Sequence, residues 1–112
     1  MSDPDALTQL RDRLRTFARE RSWEQFHTAK NLTAAIAGEA GELVAVLQWA
    51  SRDEDLTPYM AELEEEIADV LIYLLRLCDV TGIDPIAAAN IKVDRNAERY
   101  PPNPPPPGRV TA

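Results

Sequence analysis

The chain has 112 residues, of which 45% are hydrophobic and 28% are charged, and its formal net charge is −7. That size and composition predict a single globular domain, and the acidic balance argues against non-specific binding to nucleic acid polymers or to an anionic membrane surface. One cysteine rules out an internal disulfide framework, no apolar run reaches the roughly 18 residues of a membrane span, and no signal peptide is recognisable, so we expect a cytoplasmic protein.

The first two helices are predicted from apolar spacing and from cap residues. Ser2 or Asp3 can cap helix one at its N-terminus. The segment 19–31 breaks the helical spacing and is predicted to connect the two helices. Thr28 is a cap for helix two, which we expect to run to about Ser51. The apolar face of helix one is formed by Leu7, Leu10, Leu14 and Phe17.

Two further helices follow a polar linker. Thr57, followed by a proline, signals the start of helix three, and Gly82 suits its C-terminal cap. Asp84 and Pro85 then open helix four, which should end near Tyr100. The apolar face of helix three is predicted to carry Leu63, Ile67, Val70, Leu74 and Leu77.

No segment alternates like a strand, and the short linkers favour antiparallel packing. We therefore predict an all-α fold, an antiparallel helical bundle of about four helices over residues 1–101. Small helical domains often complete their cores by homo-oligomerisation, and we expect that here. The proline-rich tail, 102–112, cannot continue a helix and is predicted to be extended or disordered, either as a solvated tail or as a ligand for a partner.

Helices two and three carry matching acidic pairs. Glu39 and Glu42 lie on helix two, Glu66 and Asp69 on helix three, and each pair has the spacing acid-x-x-acid followed by an aliphatic residue. At roughly 100° per residue, the first acid of each pair edges the buried face and the second flanks it. If the two helices pack side by side, four carboxylates can converge on one volume. A solvated acidic face is the alternative.

Convergence of acids favours a bound cation. Two like charges about 4 Å apart repel by about 4 kcal/mol at an effective dielectric constant of about 20, and a hard divalent cation relieves this at neutral pH. The all-oxygen set favours Mg²⁺, with Mn²⁺ as a substitute. Di-iron bundles need two Glu-x-x-His motifs, and the chain has one histidine. With no P-loop and no nucleophile elbow, water is the candidate nucleophile.

Three segments flank the acids: "WEQFHTAKNL" at 23–32, "GELVAVLQW" at 41–49 and "KVDRNAERYP" at 92–101. Together with the four acids, they resemble the MazG-like all-α nucleoside triphosphate pyrophosphohydrolases, most closely the dCTP pyrophosphatase-like branch. The resemblance covers roughly residues 5–101. It implies hydrolysis of a (deoxy)nucleoside triphosphate to the monophosphate and pyrophosphate, which cleanses the nucleotide pool.

The same resemblance implies that Glu39, Glu42, Glu66 and Asp69 hold the Mg²⁺. It also implies a homo-oligomer, a dimer or a dimer of dimers (a homotetramer), with sites where subunits meet. We expect in-line attack of water at the α-phosphorus. One of the four acids, or the neighbouring Glu65, would orient or deprotonate that water. The competing class is a non-catalytic helical oligomerisation or regulatory module that retains the fold.

Cationic residues can bind the triphosphate. Lys92, Asn96 and Arg99 match the family's Lys-x-x-x-Asn-x-x-Arg segment and share one helical face, which suits phosphate oxygens. A salt-bridged surface is the alternative interpretation of these three residues. Lys30 is a second phosphate candidate.

Aromatic and amide side chains can bind the nucleoside. By resemblance, His27, Asn31, Trp49 and Tyr73 line its pocket, and Trp23 joins them before helix two. Aromatic rings can stack on any base, whereas an amide or an imidazole can contact a base edge. Ordinary core packing is the alternative for these rings.

Overall fold

The computed structural model describes residues 5–52 and 54–103. That part of the chain contains four α-helices and no strand, which confirms the predicted all-α class. The predicted caps Ser2 and Asp3, and the tail from residue 104 onward, lie outside the described residues. The helices are α1 (Ala6–Glu20), α2 (Ala29–Val46), α3 (Met60–Thr81) and α4 (Pro85–Arg99), and short 3-10 turns lie at Glu24–Phe26 and Thr57–Tyr59.

Helix α2 begins where predicted and ends earlier than predicted. The Thr28 side chain accepts a hydrogen bond from the backbone N–H of Asn31 at 3.1 Å, which caps the helix. The expected end near Ser51 is wrong, because the backbone N–H of Leu47 bonds to Val44 and the chain tightens into turns. Trp49 therefore lies beyond the helix.

Local chemistry also sets the boundary between α3 and α4. Gly82 has φ of +74°, the left-handed conformation that ends many helices, and its N–H bonds to the carbonyl of Cys78. Asp84 then caps α4 by accepting hydrogen bonds from the backbone N–H groups of Ile86 at 3.0 Å and Ala87 at 3.1 Å. Both predicted cap positions are confirmed.

Among the described residues, the buried apolar core is small and consists of Ala18, Leu32 and Leu75. Helices α2 and α3 form the main packed pair, and α1 packs on α3. The predicted apolar face of α3 is only partly covered, since Ile67 is 56% and Leu74 42% exposed. These helices cover one side of α3 and leave the other open.

Helix α4 is exposed along its length, apart from a half-buried Pro85. The radius of gyration is 18.5 Å, whereas a compact domain of this length has about 13 Å. One copy of the chain thus leaves much apolar surface uncovered. None of the helices described is both long and apolar enough to cross a membrane.

Candidate metal and nucleotide site

Three glutamates converge between α2 and α3. One carboxylate oxygen from each of Glu39, Glu42 and Glu66 lies within 4.8 Å of the other two. The Oε2 atoms of Glu39 and Glu66 are buried and have no hydrogen-bond partner in the described structure. Glu42 is exposed, so the group opens to solvent on its side. We call these three residues the glutamate cluster.

The matched spacing of the two acidic pairs explains this convergence. Glu39 and Glu66 both sit half-buried at the edge of the packed α2–α3 face, as their phase relative to the apolar residues predicts. Asp69, also half-buried, lies three residues beyond Glu66 on α3 and is therefore its neighbour on the helix surface. The structure therefore brings Glu39, Glu42 and Glu66 together, whereas Asp69 is not one of the three converging carboxylates, and its part in metal binding remains a prediction.

The cluster is electrostatically unfavourable without a cation. Burial is the main reason why the pKa of Glu39 is raised, followed by the negative charge of Glu42 and then those of Asp69 and Glu66. Burial likewise raises the pKa of Glu66, with further contributions from Glu42 and Asp69. Both shifts reflect a free-energy cost of holding the ionised forms together.

The donor set fits a hard divalent cation. A buried carboxylate oxygen without a partner is costly, and two of the three glutamates in the cluster carry such an atom. Carboxylates are ligands that Mg²⁺ and Mn²⁺ accept, and the exposed side leaves room for water and phosphate oxygens. The residues present therefore fit a metal of this class.

An aromatic cavity of about 300 Å³ lies between α1, the first 3-10 turn and α3. Three predicted nucleoside-binding residues line it together, namely Trp23, His27 and Tyr73. Phe17 meets Trp23 edge to face with ring centroids 5.6 Å apart, and Trp23 lies 6.2 Å from the His27 ring. These four residues define what we call the aromatic cavity.

The cavity and the glutamate cluster share α3. Tyr73 follows Glu66 by seven residues, which places it two turns away on the same face, at about 10 Å along the helix axis. None of the four predicted acids lines the cavity, so a single ligand that contacts both the cavity and the cluster remains a prediction.

A buried cation borders the cavity, and the sequence analysis missed it. Arg76 is only 4% exposed, and its Nε donates a hydrogen bond to Nδ1 of His27 at 3.1 Å. Its Nη1 donates to Asp79 at 3.0 Å, and Asp79 also accepts from Nε of Arg15 at 2.9 Å. An arginine and an aspartate three residues apart in the apolar stretch 71–80 were the available signal.

Three predicted site residues within or just after α2 have local roles in the structure or lie at the surface. The side chain of Asn31 donates to the backbone carbonyl of Phe26 at 3.0 Å, which ties the 3-10 turn to α2. Lys30 is exposed on the first turn of α2. Trp49 is 89% exposed beyond the helix and does not line the aromatic cavity.

The predicted phosphate-binding residues lie apart from both features within one chain. Lys92, Asn96 and Arg99 are all exposed on α4, and none of them lines the aromatic cavity or joins the glutamate cluster. The Arg99 guanidinium lies over the ring of Tyr100, 5.3 Å from its centroid. Their proposed contact with phosphate remains a prediction.

An all-helical fold with an oxygen-rich acidic cluster and an aromatic cavity along one helix defines a candidate metal-assisted nucleotide-binding protein. Residues 27–102 match the family model of the MazG nucleotide pyrophosphohydrolase domain, and the chain belongs to that family. The resemblance identified from the flanking segments is thereby confirmed.

Similar proteins agree with this assignment. The chain is 41% identical over 106 residues to dCTP pyrophosphatase 1 of Bos taurus, covering 89% of this chain and 62% of the relative. It is 44% identical over 90 residues to dCTP pyrophosphatase 1 of Homo sapiens, covering 76% of this chain and 53% of the relative. The chain thus spans little more than half the length of these curated relatives.

A solved structure supports the fold independently. The crystal structure of a pyrophosphatase from Archaeoglobus fulgidus has a TM-score of 0.84 to this chain and is 44% identical in sequence. The match covers 91% of this chain and 98% of the archaeal chain, so that protein has almost the same extent as the fold described here.

Proposed function

We propose that this chain hydrolyses (deoxy)nucleoside triphosphates to the monophosphate and pyrophosphate, with dCTP or a related or modified dNTP as substrate. It would remove unwanted nucleotides from the cytoplasmic pool. The observation that carries the proposal is the glutamate cluster between α2 and α3, with its two buried, unpartnered oxygens, on the helix α3 that also lines the aromatic cavity. The names of the curated relatives supply the choice of dCTP.

In this proposal Glu39, Glu42, Glu66 and Asp69 hold Mg²⁺, or Mn²⁺ as a substitute. The bound metal would supply positive charge that neutralises the triphosphate and its leaving pyrophosphate. The metal would in turn offset the burial and, after it, the mutual repulsion of the acids, which together raise the pKa values of Glu39 and Glu66. An acidic protein can thereby accept a polyanionic substrate.

The remaining residues would either bind the nucleobase or activate the attacking water. The aromatic cavity would take the nucleobase, with Trp23 and Tyr73 offering ring faces. Water would attack the α-phosphorus in line with the departing pyrophosphate. Glu42 is the exposed member of the cluster and could accept the proton of that water, and Glu65, next to Glu66, is the alternative base.

We further propose a homo-oligomer, a dimer or a dimer of dimers, whose sites are completed between copies. The uncovered apolar residues of α3 and the exposed length of α4 support this. In such an assembly, Lys92, Asn96 and Arg99 of α4 would reach the phosphates bound at another copy's cluster. Lys30, Asn31 and Trp49 would border the same shared site.

The direct test is pyrophosphate release from a panel of natural and modified dNTPs, with and without Mg²⁺. We expect release from dCTP or a close relative only when the divalent metal is present. Folded protein that releases pyrophosphate from no nucleotide would instead support a non-catalytic helical module.

A substitution in the cluster separates metal binding from folding. Glu39→Gln removes a charged ligand and also relieves repulsion, so we expect weaker Mg²⁺ binding but a higher melting temperature for the metal-free protein. Removing a residue that only hydrogen-bonds to a metal ligand weakens metal binding about 10–100-fold, and the loss of Mg²⁺ affinity in Glu39→Gln should be larger than that. Calorimetric titration and thermal melts would measure both.

Glu64→Gln is the matched control, since Glu64 is an exposed glutamate of α3, the helix that also carries Glu66, and lies outside the cluster. It should leave Mg²⁺ affinity and turnover at the wild-type level. If Glu39→Gln and Glu64→Gln behave alike, the cluster is not the metal site.

A further inference from the structure

Arg76 is hydrogen-bonded to His27 at the edge of the aromatic cavity. Only one of the two side chains can be the donor in this hydrogen bond. A guanidinium has only donors, so Nδ1 of His27 must accept from Nε of Arg76. The unprotonated Nδ1 leaves the proton of the neutral imidazole on Nε2. Because His27 lines the cavity, Nε2–H is the donor it can offer to a bound ring.

We propose that Arg76 is a positioning residue that holds His27 as a neutral Nε2–H donor facing the aromatic cavity, so that the cavity selects a nucleobase with a hydrogen-bond acceptor at that point. The inference rests on the proposed function for the nature of the ligand. The pairing of Arg76 with His27 stands on geometry alone.

The position of Arg76 is itself held from behind. Asp79 accepts from Arg76 and from Arg15, so the guanidinium is anchored between a carboxylate on α3 and the imidazole before α2. Arg76 is the buried charged residue of the described part of the chain, with 4% of its surface exposed. A buried charge with both ends of its fork engaged has little freedom, and this makes it suited to orienting a neighbour.

The groups around His27 oppose its protonation. Arg76 of α3 contacts it, Tyr73 of α3 and Arg13 of α1 line the same cavity, and Asp79 lies behind Arg76. Burial lowers the pKa of His27 first, and the positive charge of Arg76 lowers it further. A proton on Nδ1 would face the Nε–H of Arg76 and break the hydrogen bond, so the neutral form is retained to lower pH than usual.

A hydrogen-bond donor at His27 would distinguish nucleobases by whether the edge that faces it carries an acceptor. Cytosine presents adjacent acceptors at O2 and N3, whereas N3 of uracil and thymine carries a hydrogen. A fixed donor at His27 therefore favours a base whose facing edge accepts, and it disfavours one that places a second donor there, because two donors would be left unpaired.

Since His27 is the only histidine of the chain, NMR of its ring nitrogens is unambiguous. In ¹⁵N-labelled wild-type protein we expect a protonated Nε2 and an unprotonated Nδ1 at neutral pH, and a pKa below the ordinary value. Arg76→Met should raise that pKa. It should also raise KM for dCTP by about tenfold, as expected for one lost hydrogen bond, with a smaller change in kcat.

Two further variants make the test specific. Arg76→Lys keeps a donor and should restore part of the KM effect. Arg19→Met removes an exposed cation that pairs with Glu24 beside the same turn, and it should leave the pKa of His27 unchanged.

Three results would overturn the inference: a proton on Nδ1 in the wild-type protein, an unchanged His27 pKa in Arg76→Met, or an unchanged KM in that variant. The first needs no variant and so is independent of whether Arg76→Met folds. If the wild-type protein turns over no nucleotide, the proposed function fails, and with it the selection of a base. The NMR data would then still test the pairing of Arg76 with His27.

Discussion

At the residue scale, Asp79 and Glu39 are both carboxylates at the margin of a small core, yet they have opposite surroundings. A hydrogen bond from Arg15, together with the charges of Arg15 and Arg76, holds the pKa of Asp79 below its usual range. Burial and neighbouring acids raise the pKa of Glu39 instead. Asp79 therefore stabilises the fold in its ionised form, whereas the ionised form of Glu39 costs stability, as is typical of residues at functional sites.

Asp79→Asn should destabilise the protein strongly, because it leaves the buried Arg76 without its carboxylate. Removing one partner of a buried pair costs about 3–5 kcal/mol. The lowered pKa of Asp79 means that its contribution is present above its unfolded pKa of about 3.9 and is lost as the pH falls through the native value. Urea unfolding at pH 7 and at about pH 3 would show a difference from wild type that shrinks in acid.

Asp12→Asn provides the comparison, since Asp12 pairs with Arg11 at the exposed surface and should change stability by less than about 1 kcal/mol. An Asp79→Asn protein that is as stable as Asp12→Asn at pH 7 would contradict the structural role assigned to the Arg76–Asp79 pair.

Only part of the site could be predicted from individual residues of the sequence. The convergence of Glu39, Glu42 and Glu66 follows from their phase on two neighbouring helices, which spacing alone reveals. The contact of Arg76 with His27 joins residues 49 positions apart, and no local rule pairs them. Whether Arg76 is buried depends on how α1 and the first 3-10 turn pack on α3.

Among the secondary-structure elements, helix N-termini with a capping side chain and helix C-termini at a glycine can be predicted from the sequence. Other helix ends are harder to predict. The caps at Thr28, Gly82 and Asp84 depend on side-chain or backbone chemistry within a few residues, and all three are observed. The end of α2 at Val46 was missed because the sequence carries no glycine or proline there to stop the helix. The last turn of a helix can tighten for a small gain in free energy, and the spacing of apolar residues in the sequence does not predict this.

Alanine substitutions at two glycines test whether local backbone conformation governs stability, because we expect opposite changes in the free energy of unfolding. Gly82 has φ of +74°, so Gly82→Ala places an L residue in the left-handed region and should cost about 1–2 kcal/mol. Gly38 lies inside α2, and Gly38→Ala should stabilise by about 0.5–1 kcal/mol. A Cβ at either position meets no atom within 4 Å, so steric clash does not confuse the comparison.

Chemical denaturation of both variants at one protein concentration would measure the two changes in the free energy of unfolding. Equal signs for the two variants would show that tertiary packing, and not backbone conformation, governs these positions.

At the scale of the whole molecule, the secondary structure is complete but the core is not. The helices predicted from the sequence form, yet only three apolar residues in the described part of the chain are buried, and large side chains on α3 and α4 remain exposed. The apolar pattern of the sequence reports which faces need covering, but it does not say whether the same chain or another copy covers them. The predicted face of α3 is thus partly free in one copy.

A charge on α4 should therefore weaken assembly if α4 packs on a second copy. Val93 is 63% exposed in one chain, and Val93→Glu would bury an unpaired carboxylate at such an interface, at about 3 kcal/mol or about a hundredfold in dissociation constant. Sedimentation across a concentration series should show a multiple of the 12.5 kDa chain for wild type and a shift toward the single chain for the variant. Thr16→Glu adds the same charge on the exposed side of α1 and should leave the mass unchanged. Equal masses for wild type and Val93→Glu would mean that α4 faces solvent, and its cationic residues could not then serve a neighbouring site.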